Sequence, residues 1–222
     1  AVRLRPTVPM FRGSRASNFY MLGKYDKAIQ DYTAAIELKP DNSEYRLRRG
    51  NSYYMLGRYD AAIEDYSDAI KLKPHDEESY YQRATAYYLL KKYDRALEDY
   101  TVAIGLKPDN SKYRLGRSNS FYMLGQYDKA IEDSGDAIKL KPDDDASYFQ
   151  RAIAFNQLKK YDRALEDYTV AIGLKSANSE YRFGRGDSFY MLGQYDKAIE
   201  DYTAAIRLRP TDTEYYAQRA SA

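Results

Sequence analysis

The segment Tyr-Asp-x-Ala-(Ile/Leu) occurs six times, and its tyrosines fall at Tyr25, Tyr59, Tyr93, Tyr127, Tyr161 and Tyr195. The step is about 34 residues each time, the period of a stacked helix-pair array. A constant step leaves no room for insertions. Each unit adds the same structural element and needs its neighbours to bury its apolar face. The sequence therefore predicts one all-α array of 222 residues, not separate domains. The question of function moves from a pocket to a shared surface.

The unit at residues 77–110 shows the local logic. Ser79 to Leu90 reads as a first helix, with Tyr80, Ala84 and Tyr87 on one stripe at three- and four-residue steps. Lys91-Lys92-Tyr93 makes a turn where other units carry Gly23, Gly57, Gly125 or Gly193, as expected for a helix ending in a left-handed residue. Asp94 opens a second helix, its carboxylate favoured at the positive end of the dipole. Ala96, Tyr100, Ala103 and Ile104 form that helix's buried stripe. Pro108 stops it, and Asp109-Asn110-Ser111 offers the next cap. Small residues recur where the helices must approach closely: Ala16, Gly50, Ala84, Ser118, Ala152 and Gly186 in the first helices, and Ala28 through Ala198 in the second.

These residues are similar to the tetratricopeptide repeat (TPR) family over almost the whole chain. In one unit the matching positions are Tyr80, Ala84, Tyr87, Tyr93, Ala96, Tyr100, Ala103 and Pro108. The resemblance implies antiparallel helix pairs in a right-handed α-solenoid, or superhelix. It also implies that the first helices line a concave groove that binds a peptide segment of another protein. The expected organisation is a tail of a preceding repeat at 1–8, repeats at 9–42, 43–76, 77–110, 111–144, 145–178 and 179–212, and a partial helix at 213–222. The tail rests on the match of Ala1–Pro6 to Ala205–Pro210. Uncapped ends of such an array could stack, so self-assembly is the alternative function.

The expected groove lining comes from the outward stripe of the first helices. It comprises Leu47, Asn51 and Tyr54, then Tyr81, Thr85 and Tyr88, then Leu115, Asn119 and Tyr122. It continues with Phe149, Asn156 and Gln157, and then Phe183, Asp187 and Tyr190. Aromatic side chains of this kind give large, adaptable contacts. A TPR clamp for the acidic C-terminus of heat-shock chaperones carries Lys four residues before Asn. Here Leu47 and Leu115 stand at those places before Asn51 and Asn119, which disfavours that mode.

Arginine recurs in every first helix (Arg15, Arg49, Arg83, Arg117, Arg151, Arg185) and aspartate in every second (Asp31, Asp65, Asp99, Asp133, Asp167, Asp201). The favoured reading is one structural ion pair per repeat, and the rival is a basic ladder for phosphate or acidic peptide. Arg12, Arg46, Arg114 and Arg182 form a second set, with the expected aromatic displaced by one residue to Tyr45, Tyr113 and Tyr181.

Composition narrows the classes. Charged residues are 31% of the chain yet leave a net charge of only +2, which disfavours nucleic acid as a partner. No apolar run approaches the roughly 20 residues that span a bilayer, so no membrane partner is expected. There are no cysteines and one histidine, His75, beside Pro74 in a turn. No catalytic residue, metal set or cofactor motif is expected, and the compartment is open, cytoplasmic by default. Ser134-Gly135 replaces the Tyr-Thr of sister repeats. The loss of that ring predicts a void or a collapsed contact, and a locally weak fourth repeat.

Overall fold

The computed structural model describes residues 8–222. Residues 1–7 of the expected tail at 1–8, including the match of Ala1–Pro6 to Ala205–Pro210, lie outside the described residues. Every regular element among the described residues is an α-helix. The chain divides into two units, Ala1–Pro108 and Asp109–Ala222, each taken by itself below.

The first unit holds α1 (Pro9–Met21), α2 (Tyr25–Leu38), α3 (Ser43–Met55), α4 (Tyr59–Leu72), α5 (Glu77–Leu89) and α6 (Tyr93–Leu106). The second holds α7 (Ser111–Met123), α8 (Tyr127–Leu140), α9 (Asp145–Gln157), α10 (Tyr161–Leu174), α11 (Ser179–Met191), α12 (Tyr195–Leu208) and α13 (Thr213–Ser221). Odd and even helices pair as hairpins. In the first unit α1, α3 and α5 also touch in sequence, and in the second α7, α9 and α11 do the same. Each unit therefore presents one face made of first helices.

The boundaries follow from caps. α5 begins two residues before its expected start because the Asp76 side chain accepts from the Ser79 N–H. α6 begins at Tyr93, which places Asp94 within its first turn. The turns need a left-handed residue. Gly23, Gly57, Gly125 and Gly193 adopt φ of 69–73°, while Lys91 and Lys159 adopt φ of 58° and 57°. Those two lysines carry a Cβ into a region that glycine enters without steric cost.

The core is a repeated small-on-large contact. Tyr32, Tyr66 and Tyr100 are buried in the first unit, and Tyr168 and Tyr202 in the second. Each ring sits against a small residue of the first helix. A Cβ added at Gly50 would stand 2.6 Å from the Tyr66 ring, and one at Gly186 would stand 2.7 Å from the Tyr202 ring. The alanine stripes Ala28, Ala62, Ala96, Ala130, Ala164 and Ala198 are fully buried.

The recurrent arginines are structural. In every repeat Nε and Nη2 fork onto the two oxygens of one buried aspartate, as Arg83 does onto Asp99 at 2.7 and 2.8 Å. Some also reach back one repeat: Arg49 Nη1 donates to Thr33 at 2.9 Å and Arg83 Nη1 to Ser67 at 3.0 Å. In the second unit Arg185 reaches Thr169 in the same way. Gly135 offers Arg151 no such hydroxyl.

The second arginine set is less uniform: Arg12 shares Asp31 with Arg15, at 3.5 Å. Arg46 pairs with Asp68 and the Pro40 carbonyl, and Arg114 with Asp136. The displaced tyrosines pack backwards: Tyr45 lies against Gly13, and Tyr181 lies on Phe149 with ring centroids 4.8 Å apart.

At Ser134 the contact has collapsed. The buried Ser134 hydroxyl shares a 2.6 Å hydrogen bond with Ser118, which donates to the Ala130 carbonyl at 2.8 Å. Ile138 is only half-buried, whereas its counterparts Ile36, Ile70, Ile104, Ile172 and Ile206 are buried.

Candidate peptide-binding groove

A row of tyrosine hydroxyls organises the first-helix face. Each buried second-helix tyrosine points its hydroxyl between the first helices, where burial demands a partner. In the first unit Tyr32 shares a 2.8 Å bond with Ser17, Tyr66 donates to Asn51 Oδ1 at 2.9 Å, and Tyr100 shares a 3.1 Å bond with Thr85. In the second unit Tyr202 donates to Asp187 Oδ1 at 2.8 Å. Burial lifts the hydroxyl pKa values of Tyr66, Tyr100, Tyr168 and Tyr202 above the usual phenol range, so these groups stay neutral donors.

The residue fifteen places before each tyrosine therefore holds its hydroxyl. Ser17, Asn51, Thr85 and Asp187 fill that role. Ile153 stands there in the fifth repeat and cannot bond. Asn156, one turn later, donates to the Tyr168 oxygen at 3.3 Å and accepts from Ser188 at 2.9 Å. Asn119 stands there in the fourth repeat, where Ser134 has replaced the ring. Among the described residues no side-chain hydrogen bond holds Asn119.

The expected lining residues divide into those that face outward and those that pack inward. Tyr54 and Tyr88 are half-buried and set edge-on to Tyr59 and Tyr93, with centroids 5.5 and 5.4 Å apart. Tyr190 meets Tyr195 in the same way, and Tyr122 is tilted on Tyr127. Tyr81 leans on Tyr100 at 5.9 Å. Gln157 is exposed and donates to the Tyr122 hydroxyl at 3.2 Å. Leu115 is half-buried on α7. One expectation is corrected: Leu47 is buried in a cluster with Ala62, Tyr66, Ala69 and Ala86, beneath the face and not on it. Its place on α3 turns it toward α4 and Ala86 of α5, where it fills core volume.

Two hollows open on these faces. In the first unit Ser17, Tyr20, Tyr32, Arg48 and Asn51 border one of about 120 Å³. In the second, a larger open groove of about 310 Å³ lies across α7, α9, α10 and α11. Its walls are apolar rings and an aliphatic side chain: Tyr122, Phe149, Phe183 and Ile153. Its polar edge is Asn156, Gln157, Glu180, Asp187 and the end of Tyr168. Gly184 forms part of the floor, because any Cβ there would stand 2.6 Å from the Tyr168 ring. Tyr168, Glu180 and Gly184 were not in the expected lining. Tyr168 was signalled by the constant second-helix tyrosine and Gly184 by the small residue its ring requires, whereas Glu180 on α11 carries no such signal.

Sequence patterns of the tetratricopeptide repeat match residues 14–77 and 115–179, with a further one at 77–110 and a TPR repeat pattern at 186–222. The chain belongs to the tetratricopeptide repeat family. Its fold is similar to that of YrrB, described as a TPR protein with an unusual peptide-binding site. That likeness has a TM-score of 0.70 and 18% identity, covering 85% of this chain and 97% of that one. It is similar too to TTC0263, a thermophilic TPR protein of Thermus thermophilus, with a TM-score of 0.64 and 25% identity over 81% of this chain and 98% of that one. The pilF protein of Pseudomonas aeruginosa superposes with a TM-score of 0.82 at 15% identity, covering 96% and 97%. Among curated proteins, none matches the sequence. As a TPR array the chain has the fold of a protein-interaction scaffold, and no helix among the described residues is long and apolar enough to cross a membrane.

Proposed function

We propose that this TPR protein is a non-enzymatic scaffold that holds a peptide segment of a partner protein on its first-helix face. The observation that carries the reading is the groove of about 310 Å³ in residues 109–222, walled by aromatic rings and edged by amides. Rings offer contact area with few torsions to freeze, and amides can pair with the backbone of any extended segment. The arginines do not compete for this role, since their forks are already spent on buried aspartates.

Tyr122 is the residue to remove. It is half-buried at the groove wall, and its ring leans on Tyr127 without filling the buried core. Tyr122→Ala is expected to weaken peptide binding by about tenfold or more, the range of an aromatic anchor. Helicity by circular dichroism should be unchanged. Unaltered affinity in titration calorimetry would move the site elsewhere. Light scattering over a concentration series separates this reading from self-assembly: a scaffold of this kind stays monomeric, whereas an assembling array gains mass with concentration.

A further inference from the structure

The place that holds a tyrosine hydroxyl is filled by Ser17, Asn51 and Thr85 in the first unit and by Asn119, Ile153 and Asp187 in the second. A neutral oxygen is all that the tyrosine requires, as Asn51 provides for Tyr66. Asp187 departs from the series by adding a full negative charge. Its Oδ1 is used by Tyr202, but Oδ2 has no hydrogen bond and the carboxylate has no ion pair among the described residues. Every other half-buried or buried aspartate of these helix pairs has a guanidinium or ammonium within reach, from Asp133 with Arg117 to Asp201 with Arg185. A carboxylate taken partly out of water without a counter-ion costs stability, so its charge is surplus to the fold.

Asp187 lies on the edge of the groove in residues 109–222. Among the described residues no lysine or arginine lines that groove. Glu180, at the same edge, is partly offset by Arg209 at 3.6 Å. The Phe149, Phe183 and Tyr122 rings line the same groove, Phe183 one turn before Asp187 on α11. A negative edge beside aromatic walls is complementary to a cationic side chain, whose head meets the carboxylate while its stem or guanidinium plane lies on the rings.

Resting on the peptide-scaffold reading, we propose that the bound segment carries a lysine or arginine, and that Asp187 is its counter-ion. The surrounding groups support an anion that waits for a cation. Burial pushes the Asp187 carboxyl up to about 6, with Glu214 of α13 adding to the rise and the Tyr202 hydrogen bond opposing it. The other titratable groups facing it are the neutral Tyr168 on α10 and Glu180 on its own helix, α11. Binding of a basic segment should therefore be strongest above pH 7 and weaken as pH falls through about 6, where Asp187 takes up its proton.

The test uses the full chain and four pools of short synthetic peptides. The central residue is fixed as Lys, Arg, Gln or Glu, and the flanks are randomised over uncharged residues. The wild-type chain should retain the Lys and Arg pools about tenfold better than the Gln pool, the scale of one close charge pair, and the Glu pool least. Asp187→Asn should erase that preference while keeping or raising the melting temperature, since Asn51 already serves a tyrosine in this way. It should also abolish the pH dependence near 6. Equal retention of all pools, a preference for Glu, or a basic preference that survives in Asp187→Asn would overturn the inference and leave the scaffold reading standing. Retention of no pool by the wild-type chain would overturn the scaffold reading, and the inference with it.

Discussion

Arg83→Leu is expected to destabilise the chain by about 3–5 kcal/mol, the cost of stranding one partner of a buried ion pair. The cost lies with Asp99 more than with the arginine. Asp99 is buried, and both of its oxygens are occupied by the Arg83 fork. Leucine fills part of the space but leaves that carboxylate in a low-dielectric interior with nothing to hold. Two further contacts go with the guanidinium: the bond to Ser67, which ties this repeat to the preceding one, and the stacking over Tyr80 of the same helix at 5.7 Å. Asp99→Ala should cost less, because Arg83 is only partly buried and can turn to Ser67 and water. The double variant should lose much less than the sum, since no unpaired charge remains. Urea denaturation of the three variants checks the order. Equal, small losses would mean that the fork is an ornament on a fold held by its alanines and tyrosines.

The second large effect is a gain. Ser118→Gly with Ser134→Tyr is expected to stabilise residues 109–222 by about 2 kcal/mol, the value of burying one large side chain. The second and sixth repeats supply the design, for Gly50 faces Tyr66 and Gly186 faces Tyr202, where a Cβ would meet the ring. Ser134→Tyr alone should not help. Ser118 keeps an oxygen where the ring must lie, and its bonds to Ser134 and Ala130 would be lost.

Gln150 fits the same account. It stands at the place in α9 that Gly184 holds in α11, where a Cβ nearly touches the ring of the preceding repeat. It is 8% exposed, and its Nε2 has no hydrogen-bond partner. Gln82, at the equivalent place in α5, instead turns to Glu78, which Ala146 cannot imitate for Gln150. A restored ring would displace Gln150 outward and give Asn119 the hydroxyl that it lacks. Native-state hydrogen exchange should show α8 as the least protected second helix of its unit, and the double variant should slow it. Protection of Ile131 to Ile138 above that of α10 and α12 in the unaltered chain would contradict this.

The helix pairs were legible because their signals are local and repeated. A glycine or lysine in a left-handed turn, an Asp or Asn cap and a buried alanine stripe are each set by a few adjacent residues. The arginine–aspartate forks were legible as well, because their spacing recurs in six repeats and a buried charge requires a partner. The groove was less so. The outward stripe of Tyr54, Tyr88, Tyr122 and Tyr190 came from the geometry that the family resemblance implies, which also put Leu47 on the surface although it packs against α4 and Ala86. Asn156 was placed in the groove lining, but the sequence does not show that Tyr168 and Ser188 hold its amide from two other helices. The role of Asp187 depends on what Oδ2 fails to touch, which no spacing in the chain discloses.

The most direct test of the central claim is amide chemical-shift mapping of the labelled chain with the best peptide from the selected pools. The account predicts that the largest shifts fall on the first-helix face of the second unit, at Tyr122, Phe149, Gln157, Phe183 and Asp187. Shifts confined to the outward residues of the second helices, such as Glu132, Glu166 and Glu200, would place the partner on the opposite face and contradict it.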